Sequence, residues 1–183
     1  IKLRALGDTV IWTSALAALK KMYPGARVEV LSLESNRPLL EGHPAVDRFI
    51  GIKKRKGLTL FLKLFRLRRE RYGLALAFHA NTSLARSLFL LGATEQVVHH
   101  HSWKFTPSNS DRALARPGQY QNAIERDYEI LRALGWEGVA LPTALRVDPV
   151  VSQKVEARLV QLGLPRVKPR LAILLGAREE LRR

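Results

Sequence analysis

The residue best suited to acid–base chemistry is Asp8, in the stretch Arg4-Ala5-Leu6-Gly7-Asp8-Thr9. This stretch follows a short apolar run and precedes a helical pattern, so we predict a strand, a glycine turn and a helix. Ligands of open α/β sheets bind outside the carboxyl ends of the strands, and this turn lies on that edge. A carboxylate there can accept a proton from a substrate, or it can cap the helix by accepting a backbone N–H. The spacing alone leaves both roles open.

The run His99-His100-His101 has the residue type of a metal site but not its geometry. Neighbouring side chains on a strand point to opposite faces, so three consecutive histidines cannot all reach one ion. No carboxylate pattern nearby completes a zinc site. We therefore expect no metal here.

Short apolar runs alternate with longer helical patterns along the chain. Strands are predicted at 1–4, 27–32, 46–52, 74–78, 95–99, 143–147 and 171–175, and helices at 9–22, 35–41, 58–71, 82–92, 119–135 and 149–162. A loop is predicted at 102–118, which is rich in Pro, Ser, Asn and Gly. Strands separated by helices of this length indicate βαβ units and a parallel sheet. The fold class is thus α/β: a Rossmann-like doubly wound sheet over residues 1–148, with a second domain beginning in 149–183. Both ends of the chain cut through these patterns, so we expect a piece of a longer protein.

The composition is that of a globular protein with an unusual charge. Hydrophobic residues make up 46% and the formal net charge is +15. Such an excess of Lys and Arg favours an anionic partner such as nucleic acid, an acidic membrane surface or a phosphorylated substrate, although a merely solvated basic surface would look the same. The absence of cysteine excludes disulfides and thiolate metal sites.

The predicted helix 58–71 carries much of this charge. Leu58, Phe61, Leu62 and Phe65 share one face at helical spacing, and we expect this face to pack on the core. The remaining surface is basic, which fits either a solvated face or docking to anionic lipid headgroups. Its cations are Lys63, Arg66, Arg68, Arg69 and Arg71, and Lys53-Lys54-Arg55-Lys56 precedes the helix.

Five motifs, in this order, resemble the heptosyltransferase family (glycosyltransferase family 9). They are Arg4-x-x-Gly7-Asp8-Thr9-Val10 with Tyr23-Pro24-Gly25-Ala26, then Glu41-Gly42-His43-Pro44-x-Val46-Asp47-Arg48, Arg69-x-Arg71-Tyr72-Gly73, His79-x-Asn81, and Asn122-Ala123-Ile124-Glu125-Arg126 to Gly135. The sequence departs from the family at Ser14, Ala77 and Asn122, which leaves the identity of the acceptor open.

The resemblance implies the N-terminal, acceptor-binding half of a GT-B fold followed by the start of the donor domain. It implies that Asp8 is the general base of an inverting, metal-free transfer of heptose from ADP-heptose to the inner core of lipopolysaccharide. It also implies a cytoplasmic enzyme at the inner face of the bacterial membrane, without a cofactor. The residues expected to bind the acceptor are Arg4, Gly7, Thr9, His79, Asn81, Arg112 and Arg116, and those expected to bind the donor phosphates are Arg178 and Arg182.

Two other functions stay open at this point. A basic α/β module could bind nucleic acid, although no aromatic residues alternate with Lys and Arg on a strand face as stacking platforms require. Alternatively, the chain could be a non-catalytic acceptor domain with no donor site. The net charge alone does not distinguish these two functions from glycosyl transfer.

Overall fold

The computed structural model describes residues 1–53, 57–100, 112–114 and 122–164. Five strands lie at Glu29–Leu33 (β1), Arg48–Ile52 (β2), Leu74–Ala80 (β3), Glu95–His100 (β4) and Arg112–Leu114 (β5). The α-helices are Leu6–Met22 (α1), Arg37–Leu40 (α2), Leu58–Leu67 (α3), Thr82–Ser87 (α4), Ala123–Ala133 (α5) and Pro149–Gln161 (α6). Short 3-10 turns at Glu34–Asn36, Arg68–Glu70 and Leu88–Leu91 adjoin α2, α3 and α4.

All strand pairings are parallel, and residues 1–3 join two ladders into one sheet. β1 pairs with β2. In the second group of strands, β4 lies between β3 and β5 and pairs with both. Between the two groups, the Lys2 nitrogen donates to the Leu31 oxygen at 3.1 Å, and the Phe78 nitrogen donates to the Ile1 oxygen at 2.9 Å. The order across the sheet is therefore β2, β1, residues 1–3, β3, β4, β5. This is the order of a Rossmann fold, with the N-terminal segment at its centre, and it confirms the predicted fold class.

Helices cover both faces of the sheet, and the central strands β1 and β3 are therefore buried on both sides. One core cluster gathers Leu60 and Leu64 of α3 with Leu84 of α4, against Ile50 and Val98 of the sheet. The other cluster lies on the opposite face, where α1 packs against α5. Its largest fully buried side chains are Trp12, Leu16, Leu40, Phe78, Tyr128, Ile130 and Leu131. These two helices meet directly beside the start of the chain.

Several element boundaries differ from the sequence predictions. Helix α1 begins at Leu6 rather than near residue 9, so the predicted glycine turn is part of its first helical turn. Residues 143–147 form no strand. β5 at Arg112–Leu114 lies inside the predicted loop 102–118, where local composition could not show its pairing with β4.

The predicted packing of α3 is wrong. Leu58, Phe61, Leu62 and Phe65 do share a face, but all four are exposed, by 74%, 40%, 47% and 59%. The buried face instead carries Leu60, Leu64 and Leu67. The helix thus has two apolar stripes on opposite sides, and helical periodicity alone could not decide which one meets the core.

The chain divides into two compact units, Ile1–Arg146 and Val147–Arg183. In the second unit, α6 is capped by the Asp148 side chain, which accepts from the Val150 nitrogen at 2.8 Å. The predicted strand at 171–175 lies outside the described residues. No helix in the described part of the chain is both long and apolar enough to cross a bilayer.

Candidate active site

Asp8 lies in the first turn of α1, at the carboxyl edge of the sheet. The residue that precedes this helix is Ala5, and no side chain caps it. The reading of Asp8 as a helix cap is therefore wrong. Its carboxylate is partly exposed, and the amino end of a helix favours a negative charge. A Cβ added at Gly7 would meet no atom within 4 Å, so the backbone one residue before Asp8 borders open space.

A buried asparagine holds the turn that carries Asp8. Asn36 Nδ2 donates to the Arg4 oxygen at 3.1 Å, to Thr9 Oγ1 at 2.8 Å and to Ser32 Oγ at 3.1 Å. The Thr9 hydroxyl in turn donates to the Ala5 oxygen at 3.0 Å. Asn36 thereby ties the end of the N-terminal segment and the first turn of α1 to β1. Thr9 is fully buried, so its side chain fixes the turn and does not face the open space.

Behind this turn lies a buried ion pair between the N-terminal segment and α5. Lys2 Nζ donates to Asp127 Oδ2 at 2.6 Å, and both side chains are almost completely buried. The Lys2 ammonium also lies 5.9 Å from the centre of the Trp12 ring, within reach of a cation–π interaction. Burial lowers the pKa of Lys2, and the charge of Asp127 opposes this shift. Burial likewise raises the pKa of Asp127 to about 6. Removing both charges from water is therefore costly, and their attraction offsets part of that cost.

His79 lies at a bulge in β3, not beyond the strand as predicted. The register pairs Ala77 with Val98 and Ala80 with His100, so two residues of β3 stand opposite His99 alone. His79 has a φ of 47°, a left-handed conformation that is uncommon for a residue other than glycine. Bulges change the direction of a side chain within a sheet.

The His79 ring is buried among charged and aromatic groups. Its Nε2 lies 3.5 Å from Asp127 Oδ1, and its ring lies 5.3 Å from that of His99. His99 Nε2 is in turn 3.1 Å from Glu129 Oε2. These residues form a buried polar cluster that includes the N-terminal segment, α5, β3 and β4. His79 is only 4% exposed, so it belongs to this cluster beneath the edge of the sheet.

The remaining predicted site residues lie in different surroundings. Asn81 is exposed and caps α4, because its Oδ1 accepts from the Leu84 nitrogen at 2.8 Å. Arg4 is partly buried next to the first turn of α1. The backbone of Arg112 lies in β5 beside Val97. Arg116, Arg178 and Arg182 lie outside the described residues, and their roles stay predictions.

Sequence reasoning missed Lys2, Asn36 and Asp127. A signal was available for two of them: Lys2 interrupts an apolar strand, and Asp127 falls beside Tyr128 and Leu131 on a helix that packs on the core. A buried charge in such a pattern needs a partner of opposite sign. Asn36 gave no such signal, since polar residues are common at the start of a helix. Among the described residues, no three His, Asp or Glu side chains are placed to hold a metal ion.

The fold is a Rossmann-like α/β domain, and it places the Asp8 carboxylate at the edge of the sheet where such domains bind ligands. Lipopolysaccharide heptosyltransferase 3 of Escherichia coli is 25% identical to this chain over 171 residues, which cover 88% of the chain and 50% of that protein. No protein-family model matches the chain.

Two solved structures share the fold. A family 9 glycosyl transferase from Veillonella parvula matches with a TM-score of 0.74 and 19% identity, over 90% of this chain and 48% of its own. The E. coli ADP-heptose lps heptosyltransferase II matches with a TM-score of 0.67 and 20% identity, over 92% of this chain and 51% of its own. These matches confirm the resemblance to the family 9 heptosyltransferases and the fold it implied. The chain spans about half the length of the relatives it matches.

Proposed function

We propose that this chain is the acceptor-binding half of an inverting glycosyltransferase that moves heptose from ADP-heptose to the inner core of lipopolysaccharide. The observation that carries the proposal is the placement of Asp8. It is partly exposed at the carboxyl edge of the sheet, on a turn held by Asn36. The same chain is similar to a lipopolysaccharide heptosyltransferase over nearly its whole length.

The chemistry assigned to Asp8 is general base catalysis. A sugar hydroxyl is a poor nucleophile, and a positioned carboxylate can accept its proton as the new bond to the anomeric carbon forms. The bond from that carbon to the ADP oxygen breaks at the same time, and the configuration inverts. The leaving diphosphate requires cationic partners. Arg178 and Arg182 are proposed for that role, and no metal or other cofactor is proposed.

Arg4, Asn81, Arg112 and Arg116 are proposed to bind the acceptor around Asp8. The acceptor of such a reaction carries phosphates and acidic sugars, for which guanidinium groups are the preferred partners. Asn81 is exposed at the end of β3, on the same edge of the sheet. Gly7 leaves room for the acceptor to approach the backbone, since nothing lies within 4 Å of the place of its missing Cβ.

The exposed face of α3 is proposed to contact the anionic surface of the bacterial inner membrane, on its cytoplasmic side. Leu58, Phe61, Leu62 and Phe65 form this lipid-facing stripe, and all are at least 40% exposed. The exposed cations Arg66, Arg68, Arg69 and Arg71 adjoin it. An apolar stripe bordered by basic residues is the pattern of helices that lie in a membrane interface. The helix begins after the carboxyl end of β2, and the carboxyl ends of the parallel strands share the edge of the sheet at which Asp8 lies.

The test is transfer by the whole protein that carries this chain, with ADP-heptose and a heptose-deficient lipopolysaccharide acceptor. Replacement of a general base is expected to lower kcat by about 10²–10⁴-fold, so Asp8→Asn should do so without a change in folding. Glu125→Gln is the matched control, because Glu125 lies on α5 in an exposed ion pair with Arg132. Unchanged turnover in a folded Asp8→Asn protein would contradict the assignment.

A further inference from the structure

We propose that a cavity at the amino edge of the sheet is a docking slot for one extended apolar segment, which is joined to the Ile1 nitrogen and pairs in parallel with both β1 and β3. The cavity has a volume of about 380 Å³. It lies at the opposite edge of the sheet from Asp8, and the proposal does not depend on sugar transfer. Protein interiors contain few voids larger than a water molecule, so a cavity of this size within the core indicates a place for an occupant.

The walls of the slot come from both faces of the sheet. Trp12 and Leu16 of α1 line it on one face, and Leu67 and Leu91 line it on the other. A pocket between a helix and an intact sheet would be lined from one face only. This cavity therefore passes through the plane of the sheet, between β1 and β3.

Residues 1–3 already pair with both neighbouring strands, and this pairing fixes the direction and width of the slot. Lys2 lies opposite Ser32 of β1, and the Ile1 nitrogen donates to the Leu76 oxygen of β3 at 2.6 Å. Neighbouring strands lie about 4.8 Å apart. β1 and β3 are therefore separated by two such spacings, which leaves the width of a single strand between them.

The same register identifies the backbone groups that an occupant would meet. Toward the amino edge, β1 continues past Ile1 to Glu29 and β3 continues to Leu74. In a parallel ladder, alternate residues of a strand direct their backbone groups to the same neighbour. Continued on the β1 side, the ladder pairs the first residue before Ile1 with the Glu29 oxygen and the Leu31 nitrogen. On the β3 side, it pairs the second residue with the Leu74 oxygen and the Leu76 nitrogen.

The lining of the slot determines which side chains fit. Successive side chains of a strand point to opposite faces. The first residue before Ile1 would thus face Trp12 and Val30, and the second would face Leu67 and Ala75. Both surroundings are apolar, as expected for a parallel strand that is covered on both faces. The third residue would reach the mouth of the slot, which is polar. The mouth carries Arg27, Glu29 and Tyr72.

The surroundings of the Ile1 nitrogen suit a peptide group better than an ammonium. An ammonium has three protons to donate, and the described residues give this nitrogen a single acceptor, the Leu76 oxygen. One acceptor is what a peptide N–H requires. Burial lowers the pKa of the ammonium to about 5, so a charge at this place is costly. A segment joined to Ile1 would replace the ammonium by an amide and remove that cost.

The test compares versions of this chain that differ only in three residues placed before Ile1, each released from the same cleavable fusion. Lys-Val-Val puts valine at both buried places and lysine at the mouth, and Lys-Ser-Gly is a control of the same length and charge. The valine version should have a Tm higher by roughly 5 °C or more, because two valine side chains leave water.

Hydrogen exchange of single amides shows where the added residues bind. In the valine version, exchange of the Leu31 and Leu76 amides should slow by about tenfold or more relative to the control, because both gain an acceptor. The Phe78 amide already donates to the Ile1 oxygen, so it should change less. Equal Tm values for the two versions, or no added protection at Leu31 and Leu76, would overturn the proposal.

A third version, Lys-Val-Pro, tests whether backbone pairing holds the segment in addition to apolar contact. Proline keeps the apolar character but lacks the N–H that the Glu29 oxygen would accept. It should therefore give a clearly smaller rise in Tm than Lys-Val-Val. A rise of the same size would mean that the cavity is filled without strand pairing, and the proposed slot for a strand would be wrong.

The source of the occupant is tested by the dependence on protein concentration. If the segment enters the slot of its own chain, the rise in Tm and the added protection are the same at every concentration, and the chain sediments as a monomer. A rise that grows with concentration, together with dimers, would mean that the segment of one copy enters the slot of another. That result would overturn the assignment of the slot to a segment joined to Ile1 of the same chain.

Discussion

Lys2 Nζ lies 2.6 Å from Asp127 Oδ2, although 125 residues separate the two in the chain. The contact joins the central segment of the sheet to a helix on its surface, and both side chains are shielded from water. The pair therefore affects the stability of the fold in two opposite ways. The attraction between the two charges stabilises the fold, but their removal from water into an otherwise apolar region destabilises it.

Breaking the pair should cost much more than removing it. Lys2→Met or Asp127→Leu alone is expected to lower the free energy of unfolding by about 3–5 kcal/mol, because one buried charge loses its partner. The double variant Lys2→Met/Asp127→Leu should recover most of this loss. The free energy of unfolding of the wild type, the two single variants and the double variant is measured by urea denaturation followed by circular dichroism. Additive losses in the double variant would show that the two charges do not interact.

Stability should also depend on pH through Asp127. Its folded-state pKa is raised to about 6, from an unfolded value near 3.8, so the folded chain binds more protons than the unfolded chain between these values. Its contribution to the free energy of unfolding is thus fully present below about pH 4 and is lost as the pH rises through about 6. The stability difference between wild type and Asp127→Asn should fall from pH 4 to pH 7. A difference between wild type and Asp127→Asn that stays constant from pH 4 to pH 7 would contradict the argument.

Asn36 should be needed for the order of the turn that carries Asp8. Asn36→Ala leaves the Arg4 oxygen and two hydroxyl groups without their amide donor. The loss should be about 1–3 kcal/mol, as for other buried hydrogen-bonding groups. Hydrogen exchange of the amides of residues 5–9 should become faster as well.

The control for this variant is Asn122→Ala. Asn122 caps α5 by accepting from the Glu125 nitrogen at 2.9 Å, and loss of such a cap costs about 1 kcal/mol. It should not change exchange at residues 5–9. If hydrogen exchange at residues 5–9 became faster to the same extent in Asn36→Ala and Asn122→Ala, the turn would respond only to the loss of global stability.

The exposed face of α3 should determine binding to vesicles. Phe61→Ser/Phe65→Ser is expected to weaken binding to phosphatidylglycerol vesicles about tenfold or more, because each phenylalanine that leaves water contributes about 1.5–3 kcal/mol. Co-sedimentation with the vesicles measures the fraction of protein bound. Both side chains are exposed, so the fold should keep its stability. Val139→Ser is the control, since Val139 is an 84% exposed apolar residue elsewhere in the first unit.

Two results would contradict the membrane contact. One is equal binding to neutral and anionic vesicles, because the basic residues beside the stripe should then be irrelevant. The other is binding to duplex DNA without binding to vesicles, which would instead favour a nucleic-acid-binding module. A protein that docks to anionic lipid should also lose affinity as the salt concentration rises.

The fold was predictable because hydrophobic periodicity and turn residues are local signals. Asp8 could be found in the same way, since a strand followed by a turn and a helix indicates where ligands bind. The buried pair depends on how α5 packs against α1, which no local pattern contains. The bulge at His79 depends on the register with β4. The packing of α3 could not be predicted because both of its apolar stripes fit the helical spacing.

The position of residues 1–4 at the centre of the sheet has a consequence for the order of assembly. During synthesis this segment leaves the ribosome before β1 and β3 exist, yet it pairs with both. It cannot make these pairings until its neighbours have been made. The two ladders can each form from contacts nearer in sequence, whereas their union requires Phe78 to meet Ile1 over a long stretch of chain. Contacts between such distant residues slow folding, so we expect the slowest folding step to be the insertion of this segment between β1 and β3.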